Sequence, residues 1–577
     1  MGVQKSEKAG LVNGKFDAIV IGAGSAGLYQ LHRLKELGLN VALFEAGTGV
    51  GGAWYWNRYP GARFDSESYT YGYFFSQDLL REWSWSEHFA AQPETERYFN
   101  YVADKFDLRG NIQCSSRVTE AQYRENDNRW EIALEDGARY EARYLIAAVG
   151  PLTEPTLPAY EGVSSFAGEA YHTARWPKAP ISFVGKRVAV IGTGASGVQT
   201  IQEVAKTASS LTVFQRTPNY CVPLGNSSID DKTQKNIRDN YPKIYSRCLE
   251  SAGGFIHNVD PRSVFELSSE EREAHWEKIY HEPGMAMWLG NFHDIFIDEH
   301  ANNLVSEFMR KKIRQRVKDP KVAERLVPKN HGFGTRRVPL ETGYYELFNS
   351  PNVKLVDLQE TPILRITPVG IQTTDANFEF DMIIYATGFD AITGGFDKID
   401  IRGIDGTRLK EKWSNGPITF LGTTTAGFPN FFMPGGPLTW LGNIPRGLEY
   451  NVDFITALIA HMLDKKFIAI DAKPESEAEW TTFSTEGAKK FLSSKVDSWF
   501  TGVNTNVKGK QKRTSPFYRG GGPAYRVRCE KTIRDGYNKD FNFYSDANEP
   551  NIEPELKISL RSGGDAIGRA PQKAVAG

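Results

Sequence analysis

Two glycine-rich turns, each between a β-branched strand and an amphipathic helix, predict an α/β fold with two Rossmann-like dinucleotide-binding domains and a helical insertion. The first turn lies in FDAIVIGAGSAGLYQLHRLKELGLNVALFEAG and the second in KRVAVIGTGASGVQTIQEVAKTASSLTVFQRTP. Two further apolar strands, in RYLIAAVG and DMIIYATGFD, both end in small residues. This repetition indicates that one doubly wound domain is inserted into the other.

Length and composition narrow the class of protein. The chain has 577 residues, enough for about two to four domains. Its 40% hydrophobic and 24% charged residues are ordinary for a soluble protein, and its net charge of -1 gives no signal for nucleic-acid binding. No run approaches the roughly 20 apolar residues of a membrane helix, and the four cysteines form no CxxC pair. We therefore expect a cytoplasmic protein with no nucleic-acid or membrane partner and no metal site.

The first glycine turn predicts a dinucleotide site that suits FAD. Its glycines allow a tight turn and a close approach of the backbone to a pyrophosphate at the helix N-terminus, and the acid that ends the second strand would accept hydrogen bonds from ribose hydroxyls. The strand before the turn, the helix after it and the acid about 20 residues further on make the motif specific. The residues are Gly22, Gly24, Gly27 and Glu45.

The second glycine turn predicts a site for NADP. It contains Gly192, Gly194 and Gly197, and the position that matches Glu45 is Gln215, followed by Arg216 and Thr217. A carboxylate there would repel a 2′-phosphate, whereas an arginine beside it pairs with the phosphate. NADP is therefore favoured over NAD.

These motifs divide the chain. The first part of the FAD domain is expected at 1–150, the linker and the first part of the NADP domain at 151–225, and a mostly helical insertion at 226–335. The second part of the NADP domain follows at 336–390, then the C-terminal part of the FAD domain with a mobile lid loop at 391–545, and a tail at 546–577. The charged helical pattern of the insertion is more typical of a solvated face than of a binding patch.

Two longer motifs resemble those of the type I Baeyer-Villiger monooxygenases, the family of cyclohexanone, phenylacetone and steroid monooxygenases. The linker stretch FAGEAYHTARWP fits the family pattern FxGxxxHxxxW followed by Pro or Asp, through Phe166, Gly168, His172 and Trp176. The stretch GGAWYWNRYPGARFD fits a second pattern that includes Gly52, Trp54 and Asp65. The similarity runs from about residue 15 to residue 545.

The resemblance implies a flavoprotein that uses FAD, NADPH and O2 to insert one oxygen atom next to a ketone carbonyl, through a peroxyflavin, and so to form an ester or lactone. The substrate would be an apolar ketone. An alternative is the related class of flavin monooxygenases that oxidise amines or sulfides, which usually have Tyr or Phe at the position of Trp176. A nucleotide-binding protein without catalytic activity is a further alternative. The sequence predicts no oligomeric state.

The resemblance also assigns roles. Arg337, the second member of a basic pair, would be the active-site cation, Arg336 would help to bind the NADP phosphate, and Asp65 would orient Arg337. The local sequence leaves open that Asp65 instead caps a helix. His172 and Trp176 would couple domain position to the nicotinamide, although a histidine satisfied by backbone in a turn fits equally. The remaining expected residues are Trp499, on a loop that closes over NADP, and the substrate-lining Leu438, Trp440 and Leu441.

Overall fold

The computed structural model describes residues 14–440 and 442–545. Its strands are β1 (Lys15–Ile21), β2 (Val41–Phe44), β3 (Ile112–Gln113), β4 (Val118–Arg124), β5 (Arg129–Leu134), β6 (Arg139–Ala147), β7 (Glu154–Pro155), β8 (Glu169–His172), β9 (Arg187–Ile191), β10 (Ser210–Gln215), β11 (Val222–Pro223), β12 (Leu340–Glu341), β13 (Val353–Asp357), β14 (Ile363–Thr367), β15 (Gly370–Thr373), β16 (Asn377–Glu379), β17 (Met382–Tyr385), β18 (Phe389–Asp390), β19 (Asp400–Arg402), β20 (Phe431–Phe432), β21 (Phe467–Ala472) and β22 (Phe541–Ser545).

The helices lie between and after these strands. They are α1 (Ser25–Glu36), α2 (Ala53–Trp56), α3 (Ser68–Tyr71), α4 (Gln77–Glu82), α5 (Gln92–Lys105), α6 (Ala195–Val204), α7 (Asp231–Glu250), α8 (Ser269–His281), α9 (Ala286–Leu289), α10 (Glu299–Arg316), α11 (Pro320–Leu326), α12 (Gly394–Asp397), α13 (Leu409–Lys412), α14 (Ile444–Asp464), α15 (Pro474–Ala488) and α16 (Gly522–Arg534).

The first sheet carries the first glycine turn. Its strand order is β19-β4-β5-β6-β1-β2-β3, with β20 paired to β6. Strand β1 runs parallel to β2 and β6, and its sequence KFDAIVI is buried along almost its whole length. A near-continuous apolar strand is expected where helices and loops cover both faces of a parallel sheet. Helix α1 packs on one face with α14, which returns from the C-terminal part of the chain.

The second sheet carries the second glycine turn, and it includes the linker. Its order is β13-β10-β9-β17-β8, and all four pairings are parallel. The edge strand β8 is formed by Glu169–His172, in register with Met382–Tyr385. The linker stretch is therefore part of the second domain's sheet.

The segment 226–335 contains α7, α8, α9, α10 and α11. Side chains that accept hydrogen bonds from first-turn N–H groups begin the longer helices, as with Asp230, Ser268 and Asp298. The predicted α/β fold class, with two Rossmann-like domains and a helical insertion, is confirmed. Across the described ranges, none of the helices is both long enough and apolar enough to cross a membrane.

Candidate active site

A cavity of about 1520 Å³ joins the two glycine turns. Its wall includes Gly22 and Glu45 from the first domain and Gly194 from the second. Asp65, Arg337, Trp440 and Trp499 also line it, so residues far apart in the sequence share one space. Such a cavity between two dinucleotide folds can hold two cofactors and a substrate together.

The first glycine turn is shaped for a pyrophosphate. A Cβ placed on Gly27 would lie 1.8 Å from the carbonyl oxygen of Gly22, so only glycine permits this packing of strand against helix. A Cβ on Gly52 would lie 2.6 Å from the Cα of Gly24, which shows how closely the second loop crosses the turn. No side chain of the described residues caps α1, and its first turn holds no acid. Its N–H groups and dipole therefore remain available to an anion, which fits FAD.

Glu45 is nine-tenths or more buried beside this turn. Its carboxylate accepts hydrogen bonds from the backbone N–H groups of Ala23, at 2.8 Å, and Gly47, at 2.7 Å. Burial raises the pKa of Glu45, and these two bonds oppose the rise. The carboxylate is thus held rigidly where a ribose would bind, with lone pairs left for its hydroxyls.

The second turn is open above α6. A Cβ on Gly194 would meet no atom within 4 Å, and no described side chain caps the helix there. The side chain of Gln215 is directed towards the helical insertion, where its amide donates to the carbonyl of Arg325 at 2.7 Å. Thr217 contributes its carbonyl oxygen, which accepts from the Thr193 hydroxyl at 3.0 Å.

The guanidinium groups of Arg216 and Arg336 lie near each other at the end of this site. Burial and the nearby Arg216 guanidinium lower the pKa of Arg336. The Nε of Arg336 is buried and has no hydrogen-bond partner among the described residues. Arg216 donates to the hydroxyl of Thr505 at 2.6 Å. Two neighbouring cations and an unpaired buried donor are the chemistry that a 2′-phosphate satisfies, so the site fits NADP.

Asp65 and Arg337 form an ion pair on the cavity wall. The Asp65 side chain is 7% exposed and that of Arg337 is 25% exposed. Burial raises the pKa of Asp65, and the guanidinium partly offsets this rise. Helix α3 begins only at Ser68 and follows Glu67, so Asp65 does not cap it. The alternative that Asp65 starts a helix is therefore wrong.

Arg337 also lies over the ring of Trp288, with its guanidinium carbon 5.6 Å from the ring centroid. The indole Nε1 of Trp288 is buried without a partner in the described chain. Trp288 comes from the helical insertion, which the sequence presented mainly as a charged, solvated segment. Arg175, which lines the cavity over the ring of Trp56 at 4.6 Å, was also missed. No local pattern marks either residue, because each reaches the cavity only through the fold.

The four residues of the linker motif are not part of the cavity wall. A Cβ on Gly168 would lie 2.6 Å from the ring of Phe166 and 2.7 Å from the carbonyl of Asp381, so this glycine is required by packing. Trp176 packs between Tyr171 and Phe183. His172 accepts a hydrogen bond from Ala174 N–H through Nδ1 at 3.0 Å. In this structure Trp176 and His172 do not line the cavity.

The loop that carries Trp499 is docked on both domains. Asn504 donates to the carbonyl of Phe389 at 2.8 Å, and Lys510 forms ion pairs with Asp390 and Asp397. Trp499 itself packs edge-on against Phe517, at 5.7 Å between centroids. Docking places the Trp499 side chain at the cavity wall.

Of the expected substrate-lining residues, Trp440 lies on the cavity wall and Leu438 does not. Trp440 lines the cavity and donates its indole N–H to the carbonyl of Ala252 at 2.8 Å. Leu438 is fully buried in the core of the first domain and does not reach the cavity, which corrects its expected role. Leu441 lies outside the described residues, as does the tail at 546–577. Leu438 and Trp440 are both buried, and the apolar sequence of this loop does not indicate which of them faces the cavity.

Comparisons with known proteins agree with this geometry. A family profile described as pyridine nucleotide-disulphide oxidoreductase matches residues 19–239. The 2-oxo-Δ3-4,5,5-trimethylcyclopentenylacetyl-CoA monooxygenase of Pseudomonas putida is 45% identical over 90% of this chain and 97% of its own. The acetone monooxygenase (methyl acetate-forming) of Gordonia sp. (strain TY-5) is 42% identical over 90% and 98%. A crystal structure of OTEMO in complex with FAD and NADP has a TM-score of 0.88 and 44% identity, covering 92% of this chain and 99% of that chain.

The His172 ring gives a pH-dependent test of the linker. Burial lowers the pKa of His172 to about 4, below the ordinary value of 6.5. As the pH falls from about 6.5 to about 4, His172 binds a proton in the unfolded chain before it does so in the folded protein. Protonation of this residue therefore lowers the free energy of unfolding within that pH range and has no effect above it. We expect the loss to be about 2 kcal/mol.

The variant His172→Asn keeps an oxygen to accept from Ala174 N–H but cannot titrate. Urea unfolding of both proteins at pH 7 and pH 4.5 should give a smaller loss for the variant. An equal loss in the two proteins would mean that His172 is solvated and free to protonate in the folded state.

Proposed function

We propose that Arg337 and Asp65 carry the oxygenation of a ketone with an apolar carbon skeleton in this chain, which belongs to the Baeyer-Villiger monooxygenase family. The chain is an FAD-containing, NADPH- and O2-dependent monooxygenase that converts ketones to esters or lactones. Oxidation of amine or sulfide heteroatoms is not favoured by its relatives. The observation that carries the residue proposal is the buried Asp65–Arg337 pair in the cavity that joins the two dinucleotide sites.

When bound, FAD reduced by NADPH would activate O2, from which one oxygen atom is inserted into the ketone and the other leaves as water. The ketone oxygen gains negative charge as its carbonyl is attacked, and a fixed cation lowers the energy of that charge. Arg337 meets this need because Asp65 and the Val338 carbonyl hold two of its nitrogens, while Trp288 supports one face of the guanidinium. We assign Arg337 as the oxyanion-stabilising residue and Asp65 as the residue that orients it.

The residues that line the cavity support a more specific proposal for the type of ketone. Trp288, Leu289, Phe296 and Trp440 line the cavity, so a hydrocarbon skeleton would lose water against apolar walls. The relatives act, by their names, on acetone and on a 2-oxo-trimethylcyclopentenylacetyl-CoA. We propose that this chain takes a ketone whose carbon skeleton is apolar and larger than that of acetone. We also propose a cytoplasmic location, where NADPH is available to the reaction.

The remaining residue proposals concern the cofactors. The residues that would hold FAD are Gly22, Gly24, Glu45, Gly52 and Trp54 on the cavity wall, with Asp65 near the flavin ring, and Gly27, which packs behind Gly22. Gly192, Gly194, Gly197, Arg216, Thr217, Arg336 and Trp499 would hold NADPH. The linker residues Phe166, Gly168, His172 and Trp176 would set the relative position of the domains, since β8 belongs to the second sheet.

Replacement of Arg337 should separate flavin reduction from oxygenation. Loss of one preorganised oxyanion donor costs about 2.7 to 4 kcal/mol, or on the order of a hundred- to a thousandfold in rate. Arg337→Ala should bind FAD and accept hydride from NADPH, yet form almost no ester. Arg337→Lys should also fail largely, because an ammonium lacks the planar fork of a guanidinium.

Anaerobic stopped-flow reduction, measured beside ester and hydrogen peroxide formation under air, tests this separation. Arg534→Ala removes the same charge from an exposed site and is the matched control. Substantial ester formation by Arg337→Ala would refute the assignment and require another cation at the carbonyl.

Replacement of Arg216 should reduce the preference for NADPH over NADH. A hydrogen bond to a charged phosphate is worth roughly 1.5 to 3 kcal/mol, or about ten- to a hundredfold in affinity. Arg216→Ala should therefore raise the KM for NADPH by that factor and leave the KM for NADH unchanged, as measured by steady-state kinetics with one saturating ketone. Equal use of both coenzymes by the unaltered protein would contradict the phosphate site.

A further inference from the structure

Arg519 lies on the cavity wall between the lid loop and α16. It is separated from Arg337 by two stacked rings. Arg337 covers Trp288, the Trp288 and Phe500 rings stack at 6.4 Å, and the Arg519 guanidinium carbon lies 5.3 Å from the Phe500 centroid. The two guanidiniums therefore mark two ends of one aromatic wall.

Arg519 differs from Arg337 in having no counter-charge. It donates to the Ser493 hydroxyl at 2.7 Å and to the Phe500 carbonyl at 3.3 Å. Among the residues that the structure describes, no carboxylate lies within 4.0 Å of it to form an ion pair. Burial alone lowers the pKa of Arg519 to about 10.

Three other arginines that are largely shielded from water are neutralised by a carboxylate. Arg446 pairs with Glu449 at 2.7 Å, Arg316 with Glu341 at 2.7 Å, and Arg528 with Asp540 at 3.1 Å. A desolvated cation without a partner is costly, and proteins normally pair such a group or use it to bind a ligand. The missing counter-charge of Arg519 therefore points to a ligand that brings its own.

We propose that Arg519 binds a carboxylate carried by the ketone substrate, at the end of the cavity away from the reacting carbonyl. A guanidinium has five N–H donors, and the two bonds to Ser493 and Phe500 leave enough for a two-pronged contact with a carboxylate. Lys490 also lines the cavity and adds a second positive charge. The rings of Trp288 and Phe500 between the two arginines suit an apolar body, so the substrate class is a keto acid.

An NADPH phosphate is the main competing ligand. Arg216 and Arg336 already stand together beside the second glycine turn, where the 2′-phosphate is expected. Arg519 is instead surrounded by Phe491, Phe500 and Ser493. These neighbours favour a small carboxylate at the end of an apolar chain.

The test rests on the proposed ketone oxygenation and uses the complete holoenzyme. A homologous series of oxocyclopentyl alkanoic acids and their methyl esters serves as substrates, and kcat/KM for lactone formation is measured for each. The unaltered protein should prefer the acid to its ester at one chain length. Arg519→Leu should lower kcat/KM for that acid by about ten- to a hundredfold, leave the ester unchanged or improved, and abolish the chain-length optimum.

Arg519→Lys should keep part of the preference for the acid, because it keeps the charge but loses the fork. Arg534→Leu makes the same change of charge and type at an exposed site on α16 and should leave the ratio of acid to ester unchanged. FAD content and the KM for NADPH are measured for every variant.

Three results would overturn the proposal. They are equal kcat/KM for acids and esters in the unaltered protein, an equal loss for both in Arg519→Leu, or a rise confined to the KM for NADPH, which would assign Arg519 to the coenzyme. Failure of the proposed function looks different, since then neither acids nor neutral esters would be oxygenated. A colourless Arg519→Leu variant would be replaced by Arg519→Gln, which removes the charge but keeps a polar N–H donor, and judged by the same ratio.

Discussion

The buried ion pair between Asp65 and Arg337 is the interaction on which the geometry of the site depends. Asp65 belongs to a loop of the first domain, and Arg337 follows the helical insertion of the second. Removal of one partner would leave the other charge desolvated and unpaired, which typically costs about 3 to 5 kcal/mol. The pair therefore fixes the cation and fastens the two domains at the same point.

The same loop is fastened to α6 a few residues earlier. Tyr59 donates its hydroxyl to the side-chain oxygen of Gln199 at 2.8 Å, and the Gln199 amide donates to the carbonyl of Arg63 at 3.1 Å. A Cβ on Gly61 would lie 2.7 Å from the Gln199 carbonyl oxygen, so the loop and the helix are in direct backbone contact. Because α6 begins at the second glycine turn, these contacts connect the predicted coenzyme site directly to the loop that carries Asp65.

The parts of this arrangement that sequence predicts are local ones. The roles of Gly27 and Gly197 are predictable because a strand, a turn and a helix within about 30 residues determine them. Gln215 can be aligned with Glu45 because both follow the third glycine of their turns at the same distance in the sequence. Trp288 and Arg519 could not be found in this way, since each acquires its role only when distant segments meet. The linker combines both cases. Its motif is visible in the local sequence, but its pairing as an edge strand depends on β17, more than 200 residues away.

Arg337 and Arg519, two of the arginines that line the cavity, have different electrostatic surroundings. Asp65 balances the charge of Arg337, so this end of the cavity attracts no anion before reaction and can accept a neutral ketone. In the proposed reaction negative charge develops on the ketone oxygen, and an interaction between that charge and Arg337 would strengthen only then. Arg519 has no carboxylate partner among the described residues and carries its full charge in the ground state. It can therefore contribute to binding and orientation, whereas Arg337 is arranged to contribute to the rate. In the two proposals, the presence or absence of one carboxylate distinguishes an arginine that recognises the substrate from one that stabilises its transition state.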